Sequence, residues 1–426
     1  MRRDLFKLFL ITILSILTYI YTSNSLALSV FIISLWITEA LPLPVTALLV
    51  PILASLLGIL TPEKAASSFG NDIIFLFIGV FFISKAASSS GLTQRLANSL
   101  LKLPTNSTPL FTFMLLLSTW AMSMFFSNTA TVALMLPIIL GVSNEFKDEN
   151  LTKRLLIGSS FAASFGGMAT PVGTPPNAIA VGFLESKGIA INFLDWVLVG
   201  LPFSLLMFII SYMILSAIFP LKAETCLIKK QKVDMPPVKF EEKVAIFSLL
   251  IALTLWLFPS FTNLKVPLGA AAILAVIPLF LSGTLSWEKA KEIDWGTVIL
   301  FGGGLTLGSV IEVSGITENL NLAFDNKFVL LAVIVGVCIL LSEVGSNTAS
   351  AAILIPLFYS IAPDSTILIA LACSFGFMLP VSTPPNAIIY GTGQVSLRTM
   401  LKTGVIIDLL GILILATYFY FLTVTV

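Results

Sequence analysis

Long apolar runs separated by short polar segments dominate the chain. A helix that crosses a bilayer needs about 20 mostly apolar residues. Candidate runs fall at 8–22, 26–42, 44–60, 72–90, 109–143, 154–184, 194–220, 244–261, 267–283, 295–313, 328–362, 366–396 and 404–425. Two of them, 109–143 and 328–362, are too long for one helix. Each is interrupted by a polar triplet, Ser127-Asn128-Thr129 or Ser346-Asn347-Thr348. Small polar side chains compete for backbone hydrogen bonds and favour turns. Non-helical backbone at membrane depth is tolerated only inside protein or beside water. Both runs therefore predict re-entrant hairpins. The expected fold is an all-α polytopic membrane protein of about 11 transmembrane helices plus two opposed re-entrant hairpins.

Lys and Arg in the loops set the orientation. Arg2, Arg3 and Lys7 put the N-terminus in the cytoplasm. Eleven crossings and two hairpins then leave Lys64, Lys187, Lys265 and Lys327 outside and Lys85 within a span, with the rest of the 23 basic residues cytoplasmic. Drawing either hairpin as a full crossing would invert everything after it. The C-terminus is expected outside. The first run could also be a signal peptide ending at Ser25-Leu26-Ala27, but an uncleaved first span suits a polytopic protein better.

The two halves repeat four landmarks in one order. Gly58-Ile59-Leu60-Thr61-Pro62-Glu63-Lys64-Ala65 parallels Gly283-Thr284-Leu285-Ser286-Trp287-Glu288-Lys289-Ala290, and Ser90-Gly91-Leu92-Thr93 parallels Ser314-Gly315-Ile316-Thr317. The triplets follow, and then Gly173-Thr174-Pro175-Pro176-Asn177 parallels Ser382-Thr383-Pro384-Pro385-Asn386. The expected organisation is an N-terminal span (1–25), a first repeat (26–220), a cytoplasmic linker (221–243) and a second repeat (244–426). The topology makes the repeats inverted, because 72–90 runs inward and 295–313 outward. Inverted repeats with broken helices at the midplane are a transporter signature.

Composition narrows the function classes. Of 426 residues, 57% are apolar and 11% charged, against about 25% charged in soluble domains, and mean hydropathy is +1.03. A soluble enzyme, a disordered chain and a basic nucleic-acid binder are excluded. The net charge of +1 and the absence of histidine remove a polyanion footprint, His triads and His metal sites. Cys226, Cys338 and Cys373 suggest neither a disulfide frame nor a metal knuckle. A membrane enzyme would need paired carboxylates or an activated nucleophile, and neither pattern is present.

The chemistry lies at the triplets and the Pro-Pro pairs. Proline lacks an N–H donor and clashes with the preceding turn, so the helix breaks there. Thr174 and Thr383 are pushed out of helical geometry. Each break exposes carbonyls that can meet a cation and N–H groups that favour an anion. Ser123, Ser127, Asn128 and Thr129 in one half, with Ser342, Ser346, Asn347 and Thr348 in the other, offer neutral hard oxygens suited to sodium. A triplet alone could be a turn that satisfies its own backbone; paired with a repeated Thr-Pro-Pro-Asn, a cation and substrate cradle is favoured. Glu343 reads either as a cation or proton carboxylate or as an anchor for the second hairpin, and Met124 stands at its counterpart in the first half. Glu39, Glu312 and Asp408 read as residues near span ends. Gly302-Gly303-Gly304 lacks the following Lys of a phosphate loop and predicts close helix packing.

At these residues the sequence resembles the divalent anion:sodium symporter family, the sodium-coupled dicarboxylate, citrate and sulfate carriers. The resemblance covers nearly the whole chain. It implies one sodium site from Ser123, Ser127, Asn128 and Gly173, and a second from Ser342, Gly345, Asn347 and Ser382. It implies a carboxylate substrate held by Asn128, Thr129, Thr174, Pro175, Asn347, Thr348, Thr383 and Pro384. It further implies a homodimer with an elevator motion. Ser342, Gly345 and Ser382 stand where Thr or Ala are common in the family, which bears on affinity more than on ion identity. The expected function is sodium-driven symport of a small divalent anion, most plausibly a C4-dicarboxylate, with sulfate or citrate carriers and a cation/proton antiporter as rivals. No Arg, Lys or His is expected in the site, so bound sodium would supply the counter-charge for a dianion whose desolvation is costly.

Overall fold

The computed structural model describes residues 2–100, 107–221, 236–262, 266–315 and 326–424. Most of the linker, with Lys222, Lys229, Lys230, Lys232 and Cys226, lies outside the described residues. So do Lys102, Lys265 and Ile316-Thr317.

The described residues form α-helices joined by short turns, without strands. The first half runs α1 (Arg2–Tyr21), α2 (Asn24–Thr38), α3 (Leu43–Leu56), α4 (Pro62–Ser67), α5 (Asp72–Ser90), α6 (Leu92–Leu100), α7 (Thr108–Ser123), α8 (Asn128–Phe146), α9 (Glu149–Met168), α10 (Pro175–Ser186) and α11 (Phe193–Ile218). The second runs α12 (Phe240–Leu257), α13 (Leu268–Leu281), α14 (Trp287–Ala290), α15 (Trp295–Ser314), α16 (Lys327–Val344), α17 (Asn347–Tyr359), α18 (Thr366–Cys373), α19 (Pro384–Gly391) and α20 (Leu397–Val424).

Among the described residues, seven helical segments are long and apolar enough to cross a membrane, and seven shorter ones of 10–17 residues are also apolar. At 1.5 Å per residue, the 16 residues of α7 reach about 24 Å, short of the hydrocarbon core of about 30 Å. Large apolar side chains such as Leu56, Phe247, Leu281 and Leu409 remain exposed on the helices. In water that exposure would be costly, whereas a lipid surface accommodates it. The chain is a multi-pass membrane protein.

The repeated landmarks take the same local form. Gly58 and Gly283 both adopt left-handed backbone, with φ of +66° and +71°. Thr61 and Ser286 then cap the short helices α4 and α14 by accepting from the amides of Lys64 and Lys289. The predicted triplets divide α7 from α8 and α16 from α17. Each run that contains a Pro-Pro pair is two helices, with the pair at the start of the second. There the missing N–H groups cost nothing, because first-turn donors have no intrahelical partner.

The triple glycine packs helices together, as its sequence context implied. A side chain at Gly303 would meet the Ala47 backbone at 2.6 Å, and one at Gly302 would meet the Phe69 ring at 2.5 Å. Helix α15 can therefore lie directly on α3. On the other side, α9 meets the second break through rings: Phe161 and Phe165 lie 4.7 and 4.9 Å from Phe377. This cluster joins the site-bearing parts of both halves.

Asp408 corrects an expectation. It lies well inside the 28-residue helix α20 and is only 3% exposed, so it is no span-end residue. The helix starts at Leu397, earlier than the apolar run, because the polar turn 397–403 is helical too.

Candidate functional site

The two tips and the two breaks meet in one cavity of about 640 Å³. Its wall includes Ser127, Asn128 and Thr129 from the first tip, and Ser346, Asn347 and Thr348 from the second. The first break supplies Gly173, Thr174 and Pro175, and the second supplies Ser382, Thr383 and Pro384. Helix α5 completes the wall with Phe77, Val80, Phe81, Ser84, Lys85 and Ser88, and Glu39, Asp294 and Thr297 line it as well. Residues from Glu39 to Pro385 in the chain thus face one space.

Four helices begin at this cavity: α8, α10, α17 and α19, whose capping residues Ser127, Thr174, Ser346 and Thr383 all line it. A helix start concentrates positive potential and unpaired N–H groups. The four starts are not equivalent. In α10 and α19 prolines occupy the first two positions, and the third amide, of Asn177 or Asn386, is already bonded to the capping Thr. In α8 and α17 the first three amides carry hydrogens and no intrahelical partner. The capping hydroxyls of Ser127 and Ser346 form no cap bond with them. The helix-start amides left without an intrahelical partner therefore lie at the two tips, one on each side.

Each break is held by an asparagine latch. The Asn177 amide donates to Gly167 O at 2.9 Å and Thr170 O at 2.7 Å. Asn386 repeats this at Gly376 O (2.8 Å) and Leu379 O (2.9 Å). The partners sit ten and seven residues upstream in both halves. The repeated Asn after each Pro-Pro was visible in sequence; its latch role was not, since the signal gave no partner.

Oxygen atoms gather beside each tip. Ser123 Oγ donates to Asn128 Oδ1 at 2.7 Å. A methyl at Gly167 would stand 2.6 Å from that same Oδ1 and 3.0 Å from Gly173 O. Both acceptors thus border one small space, and hard carbonyl oxygens suit a sodium ion. In the second half Asn347 Oδ1 is buried without a hydrogen-bond partner. A methyl at Gly376 would lie 3.4 Å from it and 3.2 Å from Ser382 Cβ. A buried carbonyl oxygen without a donor is available as an acceptor or as a hard ligand. Ser123 and Ser342 are fully buried behind the cavity wall, and Ser342 donates to Cys373 O at 2.9 Å. Gly345 caps α16 in extended backbone, and neither it nor the two serines lines the cavity.

One expectation about charge is overturned. Lys85 stands on the cavity wall, so the space is not free of basic side chains. Its run reads as a plain span because only the fold decides which face of α5 meets the cavity. The ammonium is engaged by Glu292 at 2.5 Å, and that contact holds the Glu292 carboxyl below its ordinary range.

Comparison with known proteins fits this geometry. A family profile described as "Citrate transporter" matches residues 33–369. The chain belongs to the citrate transporter family. Among curated proteins it is 36% identical to an uncharacterized transporter of Haemophilus influenzae, covering 96% of this chain and 94% of that one. It is 34% identical to the sodium-dependent dicarboxylate transporter SdcS of Staphylococcus saprophyticus, covering 93% and 85%. The homologous SdcS of Staphylococcus aureus matches at the same identity. These relatives agree with the divalent anion:sodium symporter resemblance. Among solved structures, MtrF of Neisseria gonorrhoeae (TM-score 0.55, 14% identity, 86% and 83% covered) and YdaH of Alcanivorax borkumensis (TM-score 0.55, 16% identity, 87% and 88% covered) share the fold.

Proposed function

We propose that this family member is a sodium-coupled symporter for a small dianion, with a C4-dicarboxylate as the favoured substrate. The observation that carries the reading is the pair of donor-bearing helix starts at Asn128 and Asn347, facing one cavity. Two anion-binding ends in one space suit a molecule with a carboxylate at each end. Asn128, Thr129, Asn347 and Thr348 bind the carboxylates. Thr174, Pro175, Thr383 and Pro384 form the walls, where proline withholds competing donors.

Sodium occupies the spaces beside the tips. Asn128 and Gly173 hold one ion with Ser123 and Ser127; Asn347 and Ser382 hold the other with Ser342 and Gly345. Each Asn serves ion and substrate together. Substrate affinity then depends on bound sodium, which is the physical basis of coupling. The names of the SdcS relatives support the same ion and substrate class.

The orientation rests on the charge-derived topology, and the helix-end contacts group the ends as that topology requires. Lys7 bonds Thr38 O, Arg95 pairs with Glu242, and Asn150 bonds Pro220 O, all at the end assigned to the cytoplasm. Lys187 pairs with Glu312, and Asp72 accepts from the Gly269 amide, at the other end. Glu39, Lys85 and Asp294, from segments that this topology places toward the cytoplasm, also line the cavity. The N-terminus is then cytoplasmic and the C-terminus external. The two inverted repeats (26–220 and 244–426, joined by 221–243) exchange access by an elevator motion within a homodimer.

Uptake of labelled succinate into proteoliposomes under an inward sodium gradient tests the reading. Uptake is expected with the gradient and lost when sodium is equal on both sides. Gradient-independent uptake would overturn coupling. Stronger competition by sulfate or citrate than by malate would overturn the substrate choice.

A further inference from the structure

Both breaks must be fastened to their hairpins, and the two halves do it with opposite chemistry. In the first, Thr170 Oγ1 of the break donates to the backbone carbonyl of Met124 at 2.6 Å. In the second, the hairpin supplies a carboxylate. Glu343 Oε1 accepts from the Met378 amide at 2.8 Å, and Oε2 accepts from the Leu379 amide at 3.1 Å and from Ser382 Oγ at 2.8 Å. Glu343 is 2% exposed, and no ion pair involves it among the described residues. Behind it lies the carboxyl of Asp408. On the same face of α20, Gly404 and Gly411 admit the break: a methyl there would meet Phe377 O at 2.3 Å and the Phe375 ring at 2.1 Å.

We propose that Glu343 is a positioning residue for the second cation space and makes it the tighter of the two, filled first as sodium rises. This rests on the symport reading. The three donors fix the 378–382 turn, and so fix Ser382 and Thr383 against the orphaned Asn347 Oδ1. The carboxylate also adds negative potential within a low-dielectric region, where a charge acts strongly on a neighbouring cation. The first half has only neutral groups at the matching position. Sodium therefore loads the second half before the first, and substrate binds once both are filled.

The test measures sodium activation of succinate uptake and sodium binding without substrate. Wild-type protein must first show sodium-dependent uptake; if it does not, the symport reading fails, not this one. Glu343→Gln is then expected to raise half-saturating sodium about tenfold. At saturating sodium, succinate KM and maximal rate should stay within about twofold of wild type, and Glu343→Asp should recover part of the loss. Thr170→Val, which breaks the neutral tie, should shift half-saturating sodium less than threefold. Equal shifts in the two variants, or an unchanged sodium response in Glu343→Gln, would overturn the proposal. Should Glu343→Gln not assemble, sodium binding still decides. Asn347→Ala should remove the tighter phase and Asn128→Ala the weaker, and the reverse assignment would overturn it.

Discussion

The two halves build the same device with different parts. Both have a tip that opens a helix with free amides and a Pro-Pro break latched by an asparagine. They differ at the neck between tip and break. The first half uses a hydroxyl and a carbonyl, Thr170 to Met124, whereas the second uses the buried carboxylate of Glu343 backed by Asp408. They differ also in length, since residues 374–383 separate the second pair of helices and 169–174 the first. A duplicated geometry therefore does not imply duplicated energetics. On the proposed function the shared parts bind what both halves must bind, and the unshared parts let the two proposed cation spaces differ in affinity.

The largest expected effect tests what the halves share. Asn128→Ala and Asn347→Ala each remove a cavity-lining group that is proposed to serve both ion and anion. Leaving buried partners unsatisfied costs up to about 3 kcal/mol, so uptake efficiency should fall about 100-fold in either variant, with sodium and succinate affinities both weakened. Lost succinate affinity at unchanged sodium affinity would break the idea of a shared ligand.

Glycine variants separate the halves next. Gly167→Ala pushes a methyl to within 2.6 Å of Asn128 Oδ1 and should weaken sodium affinity about tenfold, consistent with a misplaced ligand costing about 1.4 kcal/mol. Gly376 has φ +153°, and strain of about 1–3 kcal/mol should appear there as a lower melting temperature in detergent. An unshifted melting temperature for Gly376→Ala would show that the second break relaxes.

The latches give a smaller contrast. Asn386 Oδ1 also accepts from Ser160 Oγ at 2.6 Å, whereas Asn177 Oδ1 has no partner. Asn386→Ala should destabilise the protein by about 1 kcal/mol more than Asn177→Ala, the net worth of one further hydrogen bond. Denaturant unfolding of the two variants measures the difference.

The smallest effect is at the cavity mouth. Lys85 and Glu292 are partly exposed, and such pairs contribute little. Lys85→Gln should change succinate KM less than about twofold, and the change should vanish at high salt. A larger, salt-resistant loss would mean that Lys85 touches the substrate.

Much of the site is written locally in the chain. Ser-Asn-Thr and Thr-Pro-Pro-Asn each disrupt a helix through their own backbone chemistry, so the tips and breaks could be placed residue by residue. The apolar run lengths anticipated the apolar helices for the same reason, and the Lys and Arg bias supplies the proposed orientation. What faces what is a different matter. Glu343 reaches 35 and 36 residues ahead to its amides, Ser160 reaches Asn386 across 226 positions, and Asp408 meets Glu343 only because Gly404 and Gly411 let α20 lie against the break. Lys85 reaches the cavity because packing against α13 fixes the rotation of α5. Local chemistry breaks and caps a helix, and the sequence alone determined those features. Which buried carboxyl stands beside which tip and break depends on how separate helices pack, and only the tertiary structure decided it.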